Sequence, residues 1–168
     1  MNTGYPAPKR LATPTDLKPE EIQAIVEAVN PLVADSFALY VKTKNFHWHL
    51  SGPHFRDYHL LFDEQAEAIL ASIDVMAERM RRIGGTTIRS MGHIQRLTQV
   101  HDDDEDAVSP QEMLRRLMED NSAMARALRR AIAICDHSRD TVTANSLQDI
   151  LDKAERRVWF LYENLQSA

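Results

Sequence analysis

Apolar residues recur at helical spacing in four long stretches of the chain, and no stretch shows the strict alternation of a half-buried strand. The first can begin at Pro19, where proline suits the first helical position and Glu20 and Glu21 complement the N-terminal dipole. It carries Ile22, Ile25, Val26 and Val29, then meets Pro31. Two readings stay open there: Asn30-Pro31 starts a fresh helix, or one helix continues with a kink. Leu32, Val33, Phe37, Tyr40, Val41 and Phe46 keep the period to about Leu50, and Ser51-Gly52-Pro53 predicts a turn. The second helix is predicted over 54–83, with Tyr58, Phe62, Ala66, Ile69, Ile73, Met76 and Met80 as its stripe and Gly84-Gly85 as its stop. Residues 86–108 form a long connection, with a short helix expected within 90–100. The third helix opens on Ser109-Pro110-Gln111-Glu112, a capping box with proline at its first position, and runs to about His137. The fourth begins near Thr141–Thr143 and runs to about Leu165 with Leu147, Ile150, Leu151, Ala154, Val158, Leu161 and Leu165 as its stripe. The pattern therefore predicts an all-α four-helix bundle with one long central connection that carries a short helix. It occupies 17–168 behind a flexible, proline-rich tail at 1–16.

Composition changes this picture little. With 168 residues, 43% hydrophobic and 27% charged, the chain has enough apolar surface for one domain and an ordinary globular balance. No apolar run approaches the roughly 18 residues that a membrane span needs, and the first residues lack a signal peptide's apolar core, so a cytoplasmic location is expected. A single cysteine, Cys135, makes no internal disulfide and reads as a small buried residue. The net charge of −5 argues against a generally phosphate-binding surface, and the arginine pairs sit among acids at helical spacing. The acidic run 101–106 lacks the glycine and alternation of a calcium loop and reads as a solvated linker.

The chemistry lies on the second helix. His59 and Asp63 form one pair at i,i+4, and Asp74 and Glu78 form another. Imidazole and carboxylate together suit a divalent transition metal such as iron. At about 100° per residue all four side chains fall in a sector of roughly 100°, yet Asp63 and Asp74 are separated by about 16 Å of rise. Bonds of roughly 2 Å cannot join both pairs of one helix to one ion. A second copy, antiparallel across a two-fold axis near Ala68 and Ile69, would lay His59 and Asp63 of one chain against Asp74 and Glu78 of the other. It would create two equivalent sites per dimer. The chain contains no Glu-x-x-His, the usual mark of a di-iron centre built within one bundle. Carboxylates on a helix face are most often solvated or ion-paired, but no lysine is interleaved on this face.

Upstream, Lys44-Asn45-Phe46-His47-Trp48-His49 ends the first helix a turn before the helix that bears His59. Together, His47-Trp48, His59-x-x-x-Asp63, Asp74-x-x-x-Glu78 and Gly84-Gly85 resemble the DNA-protection-during-starvation (Dps) family, across nearly all of the chain after the tail. The resemblance implies a ferritin-like four-helix bundle, assembled as a hollow dodecamer from two-fold dimers. It implies that Fe(II) is oxidised, preferably by hydrogen peroxide and otherwise by dioxygen, and that Fe(III) is stored as mineral, with no organic cofactor. His47, His59 and Asp63 would come from one subunit and Asp74 and Glu78 from its two-fold partner. Trp48 would stand beside the site, either intercepting oxidising equivalents or serving as an interface aromatic. Glu64 and Glu67 are candidate cavity carboxylates, with solvated or ion-paired side chains as the alternative. His49 and His54 take surface or turn positions. Asp140, Asn145 and Asp149 match the spacing of a three-fold pore that admits iron, although Asn145 replaces a common acid and Asp140 competes as a helix cap. The family name raises DNA as a partner, with nucleoid association. The tail offers Lys9 and Arg10, the last five residues carry no charged side chain, and the body is net negative, so the charge balance weighs against DNA.

Overall fold

A computed structural model describes residues 9–166, with only the backbone of Arg10. After a short 3-10 turn at Lys9–Leu11, the helices are α1 (Pro19–His49), α2 (Phe55–Arg82), α3 (Met91–Leu97), α4 (Pro110–His137) and α5 (Thr141–Leu165). Among the described residues there is no strand. Helices α1 and α2 pack as one antiparallel pair, α4 and α5 as another, and α3 lies against α1. The fold is the expected bundle with a short helix in its long connection.

Helix α1 continues through Pro31. The missing N–H costs about 3 kcal/mol in a helix interior. Against this, Val29, Leu32 and Val33 are almost wholly buried on either side of the proline, each contributing roughly 1.5–3 kcal/mol. This apolar run also corrects the expectation about membrane spans. Helix α1 holds an 18-residue window of mean hydropathy 1.4, long and apolar enough to cross a membrane, and half of that window is buried in the bundle. Its apolar character is spent on the core.

Two cores stack along the bundle. One gathers Ile25, Val29, Met76, Met80, Leu128 and Leu147. The other, around Phe46, Phe62, Leu114, Leu117 and Leu161, lies where α1 ends and α2 begins. Gly84 has φ +85° and ends α2, and a Cβ on Gly85 would stand 2.3 Å from Val26 Cγ2. Both positions therefore need glycine, for the left-handed backbone and for the close approach.

Residues 1–8 of the expected flexible tail lie outside the described residues. The rest of it is tied down: Thr13 Oγ1 donates to Arg81 O at 2.9 Å, and an Arg81 guanidinium nitrogen donates to Leu11 O at 2.7 Å. The carbonyls freed at the end of α2 and the basic residues of its last turn explain the docking. The acidic connection is likewise not simply solvated. Asp103, its side chain 4% exposed, pairs with Arg116 at 2.8 Å, and Lys42 and Asn45 of α1 donate to His101 O and Asp103 O. Asp35 of α1 accepts from Thr98 Oγ1 at 2.9 Å and from Gln99 N at 2.6 Å, while burial raises its pKa. Polar residues on α1 thus clip the connection across the bundle. Cys135 is fully buried, and burial pushes its thiol up to about 12.

Candidate metal centre

The turn at 51–54 returns the chain so that His47, near the end of α1, faces His59, one turn into α2. Phe46 and Phe62, 1% and 0% exposed, anchor the neighbouring positions in the core. The imidazoles stack with centroids 3.7 Å apart and planes 21° apart. His47 Nδ1 lies 2.9 Å from His59 O, and His59 Nδ1 lies 3.1 Å from His47 O. A carbonyl oxygen only accepts, so each Nδ1 carries the proton and donates. Each Nε2 then keeps its lone pair for a metal. The reciprocal bonds fix both tautomers and both ring orientations, as outer-sphere partners do in metal sites. Asp63 Oδ1 stands 3.8 Å from His47 Nε2. His47 and Asp63 therefore approach one another at one edge of a single chain, with the His59 ring stacked on His47.

Lys44 also reaches this edge, and sequence reasoning missed it. Its Nζ donates to Asp63 Oδ1 at 2.6 Å and lies 5.8 Å from the centroid of the Trp48 ring. The ion pair corrects the expectation that no lysine interrupts the ligand face, because the lysine comes from α1 and not α2. Spacing held the clue: Lys44, His47 and Trp48 are neighbours at i, i+3 and i+4 on α1. The hydrogen bond from Lys44 holds the Asp63 carboxyl below the usual aspartate range, and the charge of Lys44 and the two histidines adds to this. The pair's stabilisation is thus present above the ordinary aspartate pKa and is lost as pH falls through the lowered one. A cation binding Asp63 competes with the ammonium group, and because Asp63 is 40% exposed, solvent screening keeps the pair weak. Lys44→Met is expected to tighten the first Fe(II) bound by up to about five-fold in anaerobic calorimetry. Weaker binding in that variant would show instead that the lysine is needed to position Asp63.

Asp74 and Glu78 lie further along α2, both exposed, with Glu78 ion-paired to Arg82 on the same helix. Within one chain they do not join the first cluster. Among the described residues, no three His, Cys, Asp or Glu side chains form a metal-binding group. The same face carries Leu60 and Leu70, 44% and 45% exposed, so it is partly apolar as well as acidic. At the level expected for the two-fold axis, Ile69 turns into the chain's own core, and Leu70 and Ala71 are the exposed residues. Trp48 is 63% exposed beside the histidines. Glu64, Glu67, His49 and His54 are exposed. His49 Nδ1 donates to Asn45 O at 2.9 Å, and the ring of His54 tilts against Tyr58.

The expected pore residues separate. Asp140 is 4% exposed and caps α5: it accepts from Thr143 N at 3.1 Å and pairs with Arg79 at 2.7 Å, while Arg79 Nε donates to Thr143 Oγ1. It acts as a buried cap that ties α2 to α5. Asn145 and Asp149 are exposed. Asp140→Ala removes the cap and strands Arg79, at an expected cost of about 3 kcal/mol and a fall in Tm of roughly 6–12 °C in thermal unfolding. An unchanged Tm would place the network outside the stabilising contacts.

Comparison with known proteins agrees with this fold. The ferritin-like domain family matches residues 26–168. A DNA protection during starvation protein from Brevibacillus brevis is 31% identical over 83% of this chain and 93% of its own length. DNA protection during starvation protein 1 of Deinococcus radiodurans is 30% identical over 86% of this chain and 70% of its own length. The crystal structure of a Dps protein from Bacillus brevis superposes with a TM-score of 0.85 at 30% identity, covering 89% of this chain and all of that one.

Proposed function

This chain belongs to the Dps family of ferritin-like proteins, and on that premise we propose that it is a ferroxidase and iron-storage protein whose metal sites are completed only between two copies. One observation carries the reading: the reciprocal His47–His59 pair, which leaves both Nε2 lone pairs free, that of His47 at 3.8 Å from Asp63.

Fe(II) is the substrate. The two imidazoles bind it without adding negative charge, which suits the ferrous state. Asp63 supplies one carboxylate, and Asp74 and Glu78 of a second, antiparallel copy supply two more. These anions favour Fe(III) over Fe(II) and so help drive the oxidation. Hydrogen peroxide is the preferred oxidant, and dioxygen the alternative. One peroxide takes one electron from each of two Fe(II) ions and, with two protons, leaves as two waters when its O–O bond breaks. Consuming both reactants limits hydroxyl-radical formation. The exposed Leu60 and Leu70 support a covered ligand face, since they accompany the acids on it. In the assembled pair Trp48 borders the site, either as an interface aromatic or as an acceptor of stray oxidising equivalents. Twelve copies form the cage, in which Glu64 and Glu67 contribute cavity carboxylates. Of the three residues expected at the pore, only Asn145 and Asp149 are exposed.

Solution mass measured together with iron loading tests the reading. The expected result is a dodecamer that takes up many irons per subunit when Fe(II) and peroxide are added. A monomer or a small oligomer without iron uptake overturns it. The relatives' names favour a second reading, a DNA-compacting protein with incidental metal binding. The net charge of −5 opposes it. Tight, salt-resistant gel retardation that is lost on deleting residues 1–16 would establish that second activity.

A further inference from the structure

Helices α2 and α5 enclose a cleft of about 220 Å³ on the flank of α2 away from the metal ligands. At about 100° per residue, Leu61, Gln65 and Ala68 lie roughly 150° around α2 from the centre of the His59–Glu78 sector. None of the proposed iron ligands lines the cleft.

Two buried polar side chains line it without adequate partners. Gln65 is 5% exposed, and both Nε2 and Oε1 are buried with no hydrogen bond among the described residues. Such orphaned amide atoms are uncommon in native interiors and mark a bound group or water. Arg157 is 7% exposed; its Nε donates to Asn121 Oδ1 at 2.6 Å, which leaves the two terminal nitrogens of the guanidinium without a partner among the described residues. No described carboxylate forms an ion pair with it, and burial alone pulls its pKa down to about 10. A buried cation without a counter-charge is costly, and an anion relieves that cost. Lys153 and Arg156 add two cations at the cleft, and Arg156 is steadied over the Phe160 ring at 5.2 Å. Glu64 is the one described carboxylate in the lining.

We propose that this cleft binds inorganic phosphate. The planar guanidinium of Arg157 donates to phosphate oxygens, the geometry in which arginine recognises this group. Gln65 asks for more than a bare anion, because its amide has one donor side and one acceptor side unmet. Nε2–H donates to a second oxygen, and a P–OH donates back to Oε1. Inorganic phosphate keeps at least one P–OH at neutral pH, whereas sulfate and the phosphodiesters of DNA have none. Lys153, at the rim, supplies attraction and a further contact. The site goes beyond the ferroxidase reading and uses none of its ligands.

Calorimetry of the full-length protein in phosphate-free buffer, titrated with sodium phosphate, tests the proposal. The expected result is one phosphate per chain, bound more tightly than sulfate or a short DNA oligonucleotide. Lys153→Glu, at an exposed position, should weaken binding by about ten-fold or more, the scale of one charge-assisted contact, with helicity unchanged. Gln65→Leu should abolish the preference for phosphate over sulfate. A variant lacking His59 and Asp63 should bind phosphate normally even though it fails to oxidise iron, so the two readings fail separately. Absence of saturable phosphate binding overturns the proposal, as does equal affinity for phosphate, sulfate and the oligonucleotide or unaltered binding in Lys153→Glu.

Discussion

Replacing His59 by Ala and Asp63 by Asn together is expected to lower the initial rate of peroxide-driven Fe(II) oxidation by about 100-fold or more. Altering groups that merely orient metal ligands already costs 10–100-fold, and this variant removes two ligands themselves. The fold should survive. Both side chains are only partly buried, and the packing beneath them comes from Phe46 and Phe62, which are untouched. Loss of the hydrogen bond from His59 Nδ1 to His47 O costs about 1 kcal/mol, small beside the stability of a domain. His47 also keeps its own bond to His59 O, because that acceptor is backbone. Stopped-flow absorbance of Fe(III) formation, with circular dichroism as the control for folding, measures the effect. An unchanged rate in a folded variant would remove these residues from the site.

The second large effect concerns the sharing of the site. Asp74→Asn with Glu78→Gln should be as inactive as the first variant, although these residues lie about 16 Å and about 22 Å along the helix from Asp63. When the two inactive variants are unfolded, mixed in equal amounts and reassembled, activity should return to about a quarter of the wild-type value. Half of the dimers formed are mixed, and in each mixed dimer one of two equivalent sites receives every native ligand while the other keeps only His47. A centre complete within one chain would give no recovery. The mixing experiment therefore separates a shared centre from two independent ones more sharply than either variant alone.

Much of the fold was legible in the sequence because its local signals agree with one another. The capping box at Ser109–Glu112 opens α4, where Ser109 Oγ accepts from Glu112 N, and Gly84-Gly85 closes α2, with a left-handed backbone at Gly84 and no room for a Cβ at Gly85. Pro31 was the ambiguous position. Whether it breaks the helix depends on the apolar neighbours packed on both sides of it, which local pattern does not reveal. The same holds for the tail: Pro14 excludes helix, but nothing local shows that Thr13 reaches Arg81 O.

For the candidate centre, helical spacing was enough to group His59 with Asp63 and Asp74 with Glu78, and to show that the two pairs of one chain cannot meet, since rise per residue is a property of the helix itself. Tertiary structure decided what surrounds them. Only the antiparallel return of α2 against α1 puts His47 on His59, so that each backbone carbonyl sets the other ring's tautomer. The same return brings Lys44 onto Asp63, and the packing of α2 on α5 closes Asp140 away with Arg79 and leaves Arg157 and Gln65 beside a common cleft. These arrangements bring together residues 12 to 92 positions apart. Their energies depend on distances and burial that no local periodicity encodes.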